Sequence, residues 1–316
     1  MTARIVVAGA ASYYMAVAVD GFPLNYASTC PPVWSDVGVS GAGVHIARVQ
    51  RALGFDVRLC TVVGGDAAGA VIRAELRRDG LLGDGVVGSR ASSCGLVLVD
   101  RHGRRMGMPH LAPVDRVAYP FGILREQARD AALLVLTTAR FVRPLVAPAA
   151  TLDVPIAVDV HLIADPDDAY ARPWLEQARI VFCSHERLRD PAAWPAALFA
   201  RYRRCAMVGI GLGADGALLA LRNGTLIRVA AAPPARVVNT AGAGDALFAT
   251  FLAQWLRDGD PVSALQSAVL HAGWKIGRRR PAAESLTAAR LTRLRKASPP
   301  ATTVTRWDRR PASARP

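Results

Sequence analysis

Short apolar runs separated by amphipathic stretches recur along most of this chain, and that rhythm restricts its fold more than any other feature. Candidate strands lie at Ile5–Gly9, Val57–Val62, Leu133–Thr137, Ile156–Asp159, Ile180–Cys183 and Ala206–Gly211, with helical stretches near 43–53, 66–79, 121–131 and 193–204. Strands alternating with helices predict an α/β layered fold with a largely parallel sheet. Two places break the rhythm: Tyr13–Val19 has no helix before it, and Gly95–Val99 and Met106–Pro109 flank the turn Asp100–Gly103. Such strands are expected to form a small separate sheet, a lid over a site at the strand ends. Three helices follow residue 240, near 243–257, 262–277 and 287–296. The chain therefore divides into one domain over 1–298, with lid strands near 12–40 and 94–110, and a basic tail at 299–316. The tail carries Pro299, Pro300, Pro311 and Pro316 and is expected to be disordered.

At 52% hydrophobic and 20% charged, 316 residues can bury a sizeable core, so global disorder is excluded. The formal net charge is +14, yet only Lys275 and Lys296 among the 39 basic residues are lysines. Arginines spread along the whole chain read first as a compositional bias, and secondly as attraction for anionic ligands. No specific nucleic acid is implied; a role for Arg278–Arg280 and the tail in binding one would show as affinity falling steeply with salt. The five cysteines are scattered, without a CxxC pair, which argues against a disulfide framework or zinc cluster and suits a reducing cytoplasm. The uncharged stretch Ile5–Val19 mimics a signal segment but is too short to span a bilayer, and it reads as two strands. No membrane partner is expected.

The most informative segment is Asn239-Thr240-Ala241-Gly242-Ala243-Gly244-Asp245, followed by the apolar helix Ala246–Leu256. Small residues entering a helix let backbone N–H groups approach an anion, and the helix dipole adds partial positive charge there. Asp245 suits a general base beside such an anion. The plain alternative is a tight glycine-rich turn capped by an aspartate.

The segment resembles the signature of the ribokinase-like sugar kinases, the phosphofructokinase-B family, where Asp-Thr-x-Gly-Ala-Gly-Asp opens such a helix. Other landmarks follow the family order. Ser40-Gly41-Ala42-Gly43-Val44-His45 resembles the Gly-Gly substrate motif, and Val63-Gly64-Gly65-Asp66 with Gly69 resembles Val-Gly-x-Asp-x-x-Gly. Gly211-Leu212-Gly213-Ala214-Asp215-Gly216 resembles the nucleotide loop written Thr-Leu-Gly-x-x-Gly. The resemblance covers roughly residues 4–296 and implies a three-layer α/β/α sandwich with a mostly parallel central sheet and a small β-sheet lid. Gly211–Gly216 also spells G-x-G-x-x-G. However, Ala217–Leu221, the Arg222-Asn223-Gly224 turn and Thr225–Val229 read as strand–turn–strand, not as the helix a dinucleotide fingerprint must open. No GxxxxGK[ST] is present.

The family mechanism implies ATP lying along Ser184, Gly211, Gly213 and Gly216, with adenine against the helix bearing His271. The γ-phosphate would meet an anion hole at Gly242, Ala243 and Gly244. Asp245 would take the proton of an acceptor hydroxyl, with Mg²⁺ offsetting phosphate charge. The acceptor would lie against Ser12, Tyr14, Gly41, Ala42 and His45. The metal element of the family reads Ser184-His185-Glu186-Arg187 here, leaving Glu186 as the candidate metal carboxylate. Tyr14 stands where ribokinases place a sugar-clamping aspartate, His45 replaces the asparagine of the Gly-Gly motif, and Asp159-Val160-His161 replaces Asp-Pro-Asn. These departures point away from ribose or a common hexose.

The expected activity is phosphorylation of a primary hydroxyl on a sugar or sugar-like metabolite, a cyclitol included. A nucleoside kinase with Tyr13 and Tyr14 stacked on the base, and a degenerate metabolite binder, are the alternatives. A homodimer through the lid is the protein partner considered. Many relatives need potassium held by the first aspartate of the signature. Asn239 stands in that place, with Gly277–Pro281 as the facing loop, so little potassium dependence is expected.

Overall fold

A computed structural model describes residues 2–280 and 284–307. The chain opens with β1 (Arg4–Ala8), β2 (Ser12–Ala18), β3 (Ser35–Ser40), α1 (Ala42–Ala52), β4 (Asp56–Gly64), α2 (Ala67–Arg78) and β5 (Val86–Ser89). A hairpin of β6 (Ser93–Val99) and β7 (Arg105–His110) comes next. The middle of the chain runs α3 (Ala112–Asp115), α4 (Phe121–Gln127), β8 (Ala131–Leu136), α5 (Arg143–Ala149), β9 (Ile156–Leu162), α6 (Arg172–Gln177), β10 (Ile180–Ser184), α7 (Trp194–Arg201) and β11 (Met207–Gly211). It ends with β12 (Ala217–Leu221), β13 (Thr225–Val229), α8 (Ala243–Asp258), α9 (Pro261–Ile276), α10 (Ala288–Ala297) and β14 (Thr302–Arg306).

Ten strands form one sheet in the order β14-β13-β12-β11-β10-β9-β8-β1-β4-β5, and β3-β2-β6-β7 form a separate sheet of four. Pairing is parallel from β5 across to β11 and antiparallel from β11 to β14. Both faces of the large sheet are covered, which is why its strands are continuously apolar. Ile5, Val7, Leu133 and Val135 face one buried cluster with α1, α8 and α9; Val6, Ala8, Leu134 and Leu136 face the other with α4 to α7. This is the ribokinase-like three-layer sandwich with its lid.

The sequence resolves each face locally. Phe182 on β10 sits 5.2 Å from Phe248 and 5.1 Å from Phe251, ring centre to ring centre, anchoring α8 to the sheet. Asp66 caps α2 by accepting from the Gly69 N–H at 2.8 Å, and it also accepts from the Ser92 N–H and hydroxyl at 2.8 and 2.6 Å. It thereby fastens the start of β6 to the end of β4. These bonds hold its carboxyl below the usual carboxylate range, the Ser92 hydroxyl foremost.

The end of the chain corrects one expectation. Residues 302–306 are not part of a disordered tail: β14 pairs antiparallel with β13. Trp307 then stacks on Phe199 at 5.3 Å and donates its indole N–H to the Leu221 carbonyl at 2.8 Å. A β-branched run able to extend an open sheet edge outweighs the prolines at 299 and 300. The rest of the expected tail, 308–316, lies outside the described residues, as does Pro281. Among the described residues, no helix is long and apolar enough to cross a membrane.

Candidate active site

Strands β9, β10 and β11 pack against α8, with Asp159 on β9 beside Gly244 and Gly211 at the end of β11 beside Leu247; the carboxyl ends of strands are the usual place for a ligand in an open parallel sheet. Two close backbone approaches build the floor. Position 43 in α1 abuts the end of β1, so a Cβ on Gly43 would lie 2.6 Å from the Gly9 carbonyl carbon. Position 242 adopts left-handed φ of +70°, and a Cβ there would lie 2.5 Å from His45 Nδ1. Only glycine serves at either place.

Gly242 is the N-cap of α8, and no side chain caps that helix. Ala243 N–H reaches the Thr240 carbonyl only at 3.4 Å. The first turn of a 16-residue helix is thus left without a side-chain cap, with Asp245 as the acidic residue within it. Two buried polar atoms at this turn lack a partner, His45 Nδ1 and Asp245 Oδ1. Such atoms are costly to bury unless a ligand completes them.

The electrostatics separate their roles. Burial pushes the Asp245 carboxyl up to about 6; His161, Lys275 and Arg105 pull it back and Asp159 adds to the rise. A carboxyl near 6 suits proton transfer at neutral pH. Burial holds the His45 imidazole well below its usual range, with Lys275, Arg48 and Arg105 adding to the effect. His45 is therefore neutral, its Nε2 fixed 2.9 Å from the Ser40 hydroxyl.

Residues assigned to the nucleotide divide into two groups. Ser184 and Gly211 are register partners on β10 and β11, and the turn Gly213–Asp215 follows directly, with Gly213 and Gly216 at φ of +61° and +91°. His185 lies beneath this loop, donating from Nδ1 to the Gly211 carbonyl at 3.0 Å. Glu186 accepts from the Ser184 hydroxyl at 3.4 Å and stays exposed. A Cβ on Gly211 would meet Leu247 at 3.5 Å, so the loop abuts the first turns of α8. His271 does not join them. It is fully buried, with Nδ1 donating to the Thr250 hydroxyl at 2.8 Å and Nε2 accepting from the Leu286 N–H at 3.0 Å. Both ring nitrogens are spent on α8 and the segment before α10, so it is a core histidine that ties helices together, not a nucleotide contact.

On the acceptor side, Gly41 and Ala42 begin α1 beside the lid, and Gly41 has φ of +104°. Ser12 is buried, its hydroxyl 2.7 Å from that of Ser93, which donates to the Ala11 carbonyl at 2.9 Å. Tyr14 is only 8% exposed on the inner lid face, beside Gly38. Desolvation first, then Asp36, pushes its phenol up to about 12.

Four charged groups at the site escaped the sequence reading. Asp36 sits on the inner lid face and pairs with Arg280 at 2.9 Å. Arg105 opens β7 after a turn whose Gly103 carbonyl accepts from the Thr240 hydroxyl at 3.1 Å, so the lid rests on the signature loop. Asp159, quoted only as part of a departed motif, accepts from the His161 N–H at 2.8 Å, with His161 at φ of +56°. Lys275, the fourth, is completely buried. Its singularity as a lysine inside an arginine-rich chain was the available signal. The metal assignment rests on Glu186 alone: among the described residues, no group of three or more His, Cys, Asp or Glu could hold a metal ion.

Residues 160–288 match the family model for pfkB family carbohydrate kinase. Among solved structures, a microbiome-derived acarbose kinase is 24% identical with a TM-score of 0.82, covering 93% of this chain and 99% of its own. Arabidopsis thaliana ribokinase, complexed with ribose and ATP, is 18% identical with a TM-score of 0.77, covering 94% and 100%. A Burkholderia thailandensis nucleoside kinase in complex with inosine is 19% identical with a TM-score of 0.73, covering 94% and 99%. Among curated proteins, no sequence matches this chain.

Proposed function

We propose that this chain, a pfkB family carbohydrate kinase, phosphorylates a primary hydroxyl of a sugar or sugar-like metabolite, cyclitols included, with Asp245 as general base. One observation carries the reading: the unpartnered Asp245 Oδ1 lies buried at an uncapped helix N-terminus beside the unpartnered His45 Nδ1. A merely structural aspartate would cap that turn; this one leaves it open.

ATP supplies the phosphoryl group. The Ser184, Gly211, Gly213 and Gly216 loops hold the nucleotide end, and the N–H groups of Gly242, Ala243 and Gly244 meet the transferring phosphoryl. Asp245 accepts the hydroxyl proton as the oxygen attacks. Mg²⁺ binds largely through nucleotide oxygens and water and needs only one or two carboxylates, so Glu186 alone is compatible with it. The lid excludes water that would otherwise accept the phosphoryl group.

A sugar-like acceptor is favoured over a nucleoside because neither lid tyrosine offers a free ring face. Tyr14 is almost wholly buried, and Tyr13 packs against the main core. Asp36 supplies the inner lid with a carboxylate that position 14 lacks, although Arg280 already engages it. We further assign the outer lid face to a second copy of the chain, because Val37, Met15, Leu96 and Met108 form one register row across all four strands. The deciding experiment is a panel of sugars, cyclitols and nucleosides scored by ADP release. The reading expects turnover with a sugar or cyclitol; exclusive turnover of nucleosides would replace it.

A further inference from the structure

All but two of the 39 basic residues are arginines, and one of the two lysines, Lys275, has no accessible surface. Burying an ammonium is expensive unless its charge is used. Among the described residues, its Nζ donates to the Glu284 carbonyl at 2.9 Å and reaches the Ser285 hydroxyl at 3.4 Å. A neutral donor could make the same bonds at lower cost. The position is informative. Ile276, the next residue, accepts N–H bonds from Val238 at 2.8 Å and Asn239 at 3.1 Å, so the segment leading into the Gly242–Gly244 turn is fastened to the end of α9 beside Lys275. Its charge reaches Asp245 and His45, the two groups with unpartnered atoms at that turn.

We infer that Lys275 is a positioning residue of the phosphoryl site, whose buried ammonium sets the potential at Asp245 and beneath the Gly242–Gly244 turn. The inference rests on the proposed role of Asp245 as base. An arginine could not do the same work: its planar fork is larger and cannot release its proton, whereas a lysine is a compact charge that responds to its surroundings. Burial draws Lys275 down to about 8, while Asp245 opposes the fall. An arriving phosphoryl anion raises the proton affinity of Lys275 and is itself held by it. His45 and Arg48 from α1, Arg105 from β7, Asp159 and His161 from β9, and Glu284 before α10 also face this region and stay in place when Lys275 alone is changed.

Lysine-selective isotope labelling gives two NMR signals, with exposed Lys296 as internal reference. In the unmodified protein, the Lys275 titration should lie well below the ordinary lysine range and rise by about one pH unit on adding a non-hydrolysable ATP analogue, the size expected for a nearby opposite charge. A Lys275 signal indifferent to the analogue while Lys296 is also unmoved, with binding confirmed by calorimetry, overturns the inference. In Lys275→Met, the acid limb of kcat/KM should move up by about one pH unit, a loss of about fivefold at pH 6 that approaches about tenfold at pH 5. A loop staple would instead lower Tm and leave the limb where it was. If Asp245→Asn kept its activity, the reading of the base would fail. If Asp245→Asn were inactive and the limb of Lys275→Met unmoved, the role of Lys275 alone would fail.

Discussion

His45 Nδ1 occupies the space that any side chain on Gly242 would need, 2.5 Å from where its Cβ would stand. The histidine that replaces the asparagine of the Gly-Gly motif and the glycine that opens α8 are thus fitted to each other. Gly242→Ala must both displace His45 and hold a left-handed φ, for which L-residues carry a penalty of about 1–2 kcal/mol. His45→Ala removes the first obstacle but not the second. The double variant is therefore expected to be more stable than the sum of the single losses, with a coupling of at least 0.5 kcal/mol by urea denaturation (about the lower bound for residues in contact). Strict additivity would mean that the two do not touch.

Asp245→Asn separates stability from function. Burial raises the folded carboxyl to about 6 from an ordinary 3.8, so the native state binds the proton more tightly than the unfolded chain. That contribution is complete below pH 3.8 and is lost as pH rises through 6, leaving a destabilising carboxylate at neutrality. Asparagine keeps the shape without the charge. Turnover is expected to fall by about 10²–10⁴-fold, while Tm at pH 7.5 rises by a few degrees, reflecting up to about 3 kcal/mol. Activity measured by ADP release and melting by calorimetry check both halves; a variant that is both less stable and fully active would remove Asp245 from the mechanism.

His271 gives the fold an acid limit. Its Nε2 accepts from the Leu286 N–H, so protonation would set two donors against each other in the core. Burial first, then Lys275, pulls its imidazole down to about 3. The neutral form stabilises the fold fully above pH 6.5, and that contribution is lost as pH falls toward 3. Stability between pH 6 and 4 should drop by up to about 1.4 kcal/mol per pH unit from this group alone. His271→Gln, which cannot titrate, should flatten that slope in urea denaturation series; an unchanged slope would assign acid sensitivity elsewhere.

The contrast between His271 and His45 marks where sequence reading reaches and where it stops. The strand–helix rhythm gave the layers, because continuous apolar runs such as Leu133–Leu136 have only one stable use, buried on both sides in a parallel sheet. The 239–245 segment gave the glycine turn that opens α8, because small residues ahead of an apolar run mark the start of such a helix. A histidine carries no such local mark. His45 and His271 both lie on buried helix faces, and only the partners brought by other segments, Gly242 for one, Thr250 and Leu286 for the other, decide their roles. Arg105 and Asp36 were illegible for the same reason: the lid folds them over the site from more than 130 residues away. The short helices α5 and α6 escaped because Pro144, Pro148 and Pro173 obscure their pattern.

The outer lid face makes a prediction about assembly. Met15, Val37, Met106 and Met108 are 40–46% exposed on one small sheet, a patch whose burial by a second copy would be favourable. The double variant Met15→Glu, Met108→Glu should shift the molecular mass in light scattering from dimer to monomer. Because Tyr14 and Ala16 face the other way, the lid's inner surface should survive, and ATP affinity should stay within about twofold. A wild-type protein that is monomeric at tens of micromolar would end this assignment.

Asn239 sits where a charged aspartate would hold a monovalent cation in many relatives, and its contacts leave that work undone. It is 2% exposed; its Oδ1 accepts from the Ala241 N–H at 3.0 Å and its Nδ2 donates to the Arg279 carbonyl at 3.3 Å. The carbonyl that could coordinate an ion is already met by an N–H donor, and the side chain brings no negative charge. Two of the neighbouring guanidinium groups are engaged elsewhere: Arg280 pairs with Asp36, and Arg278 lies over Trp274 at 4.4 Å. Neutrality at 239 is then the controlling feature. Activity is expected to change less than twofold when potassium chloride replaces tetramethylammonium chloride at constant ionic strength. Asn239→Asp places a carboxylate before the same carbonyl and should make the enzyme respond to potassium, since a buried charge without a partner is costly and a cation relieves it. Tenfold activation of the unmodified protein by potassium, with no such activation by tetramethylammonium, would mean that the Arg279 carbonyl turns away from Asn239 to bind the ion.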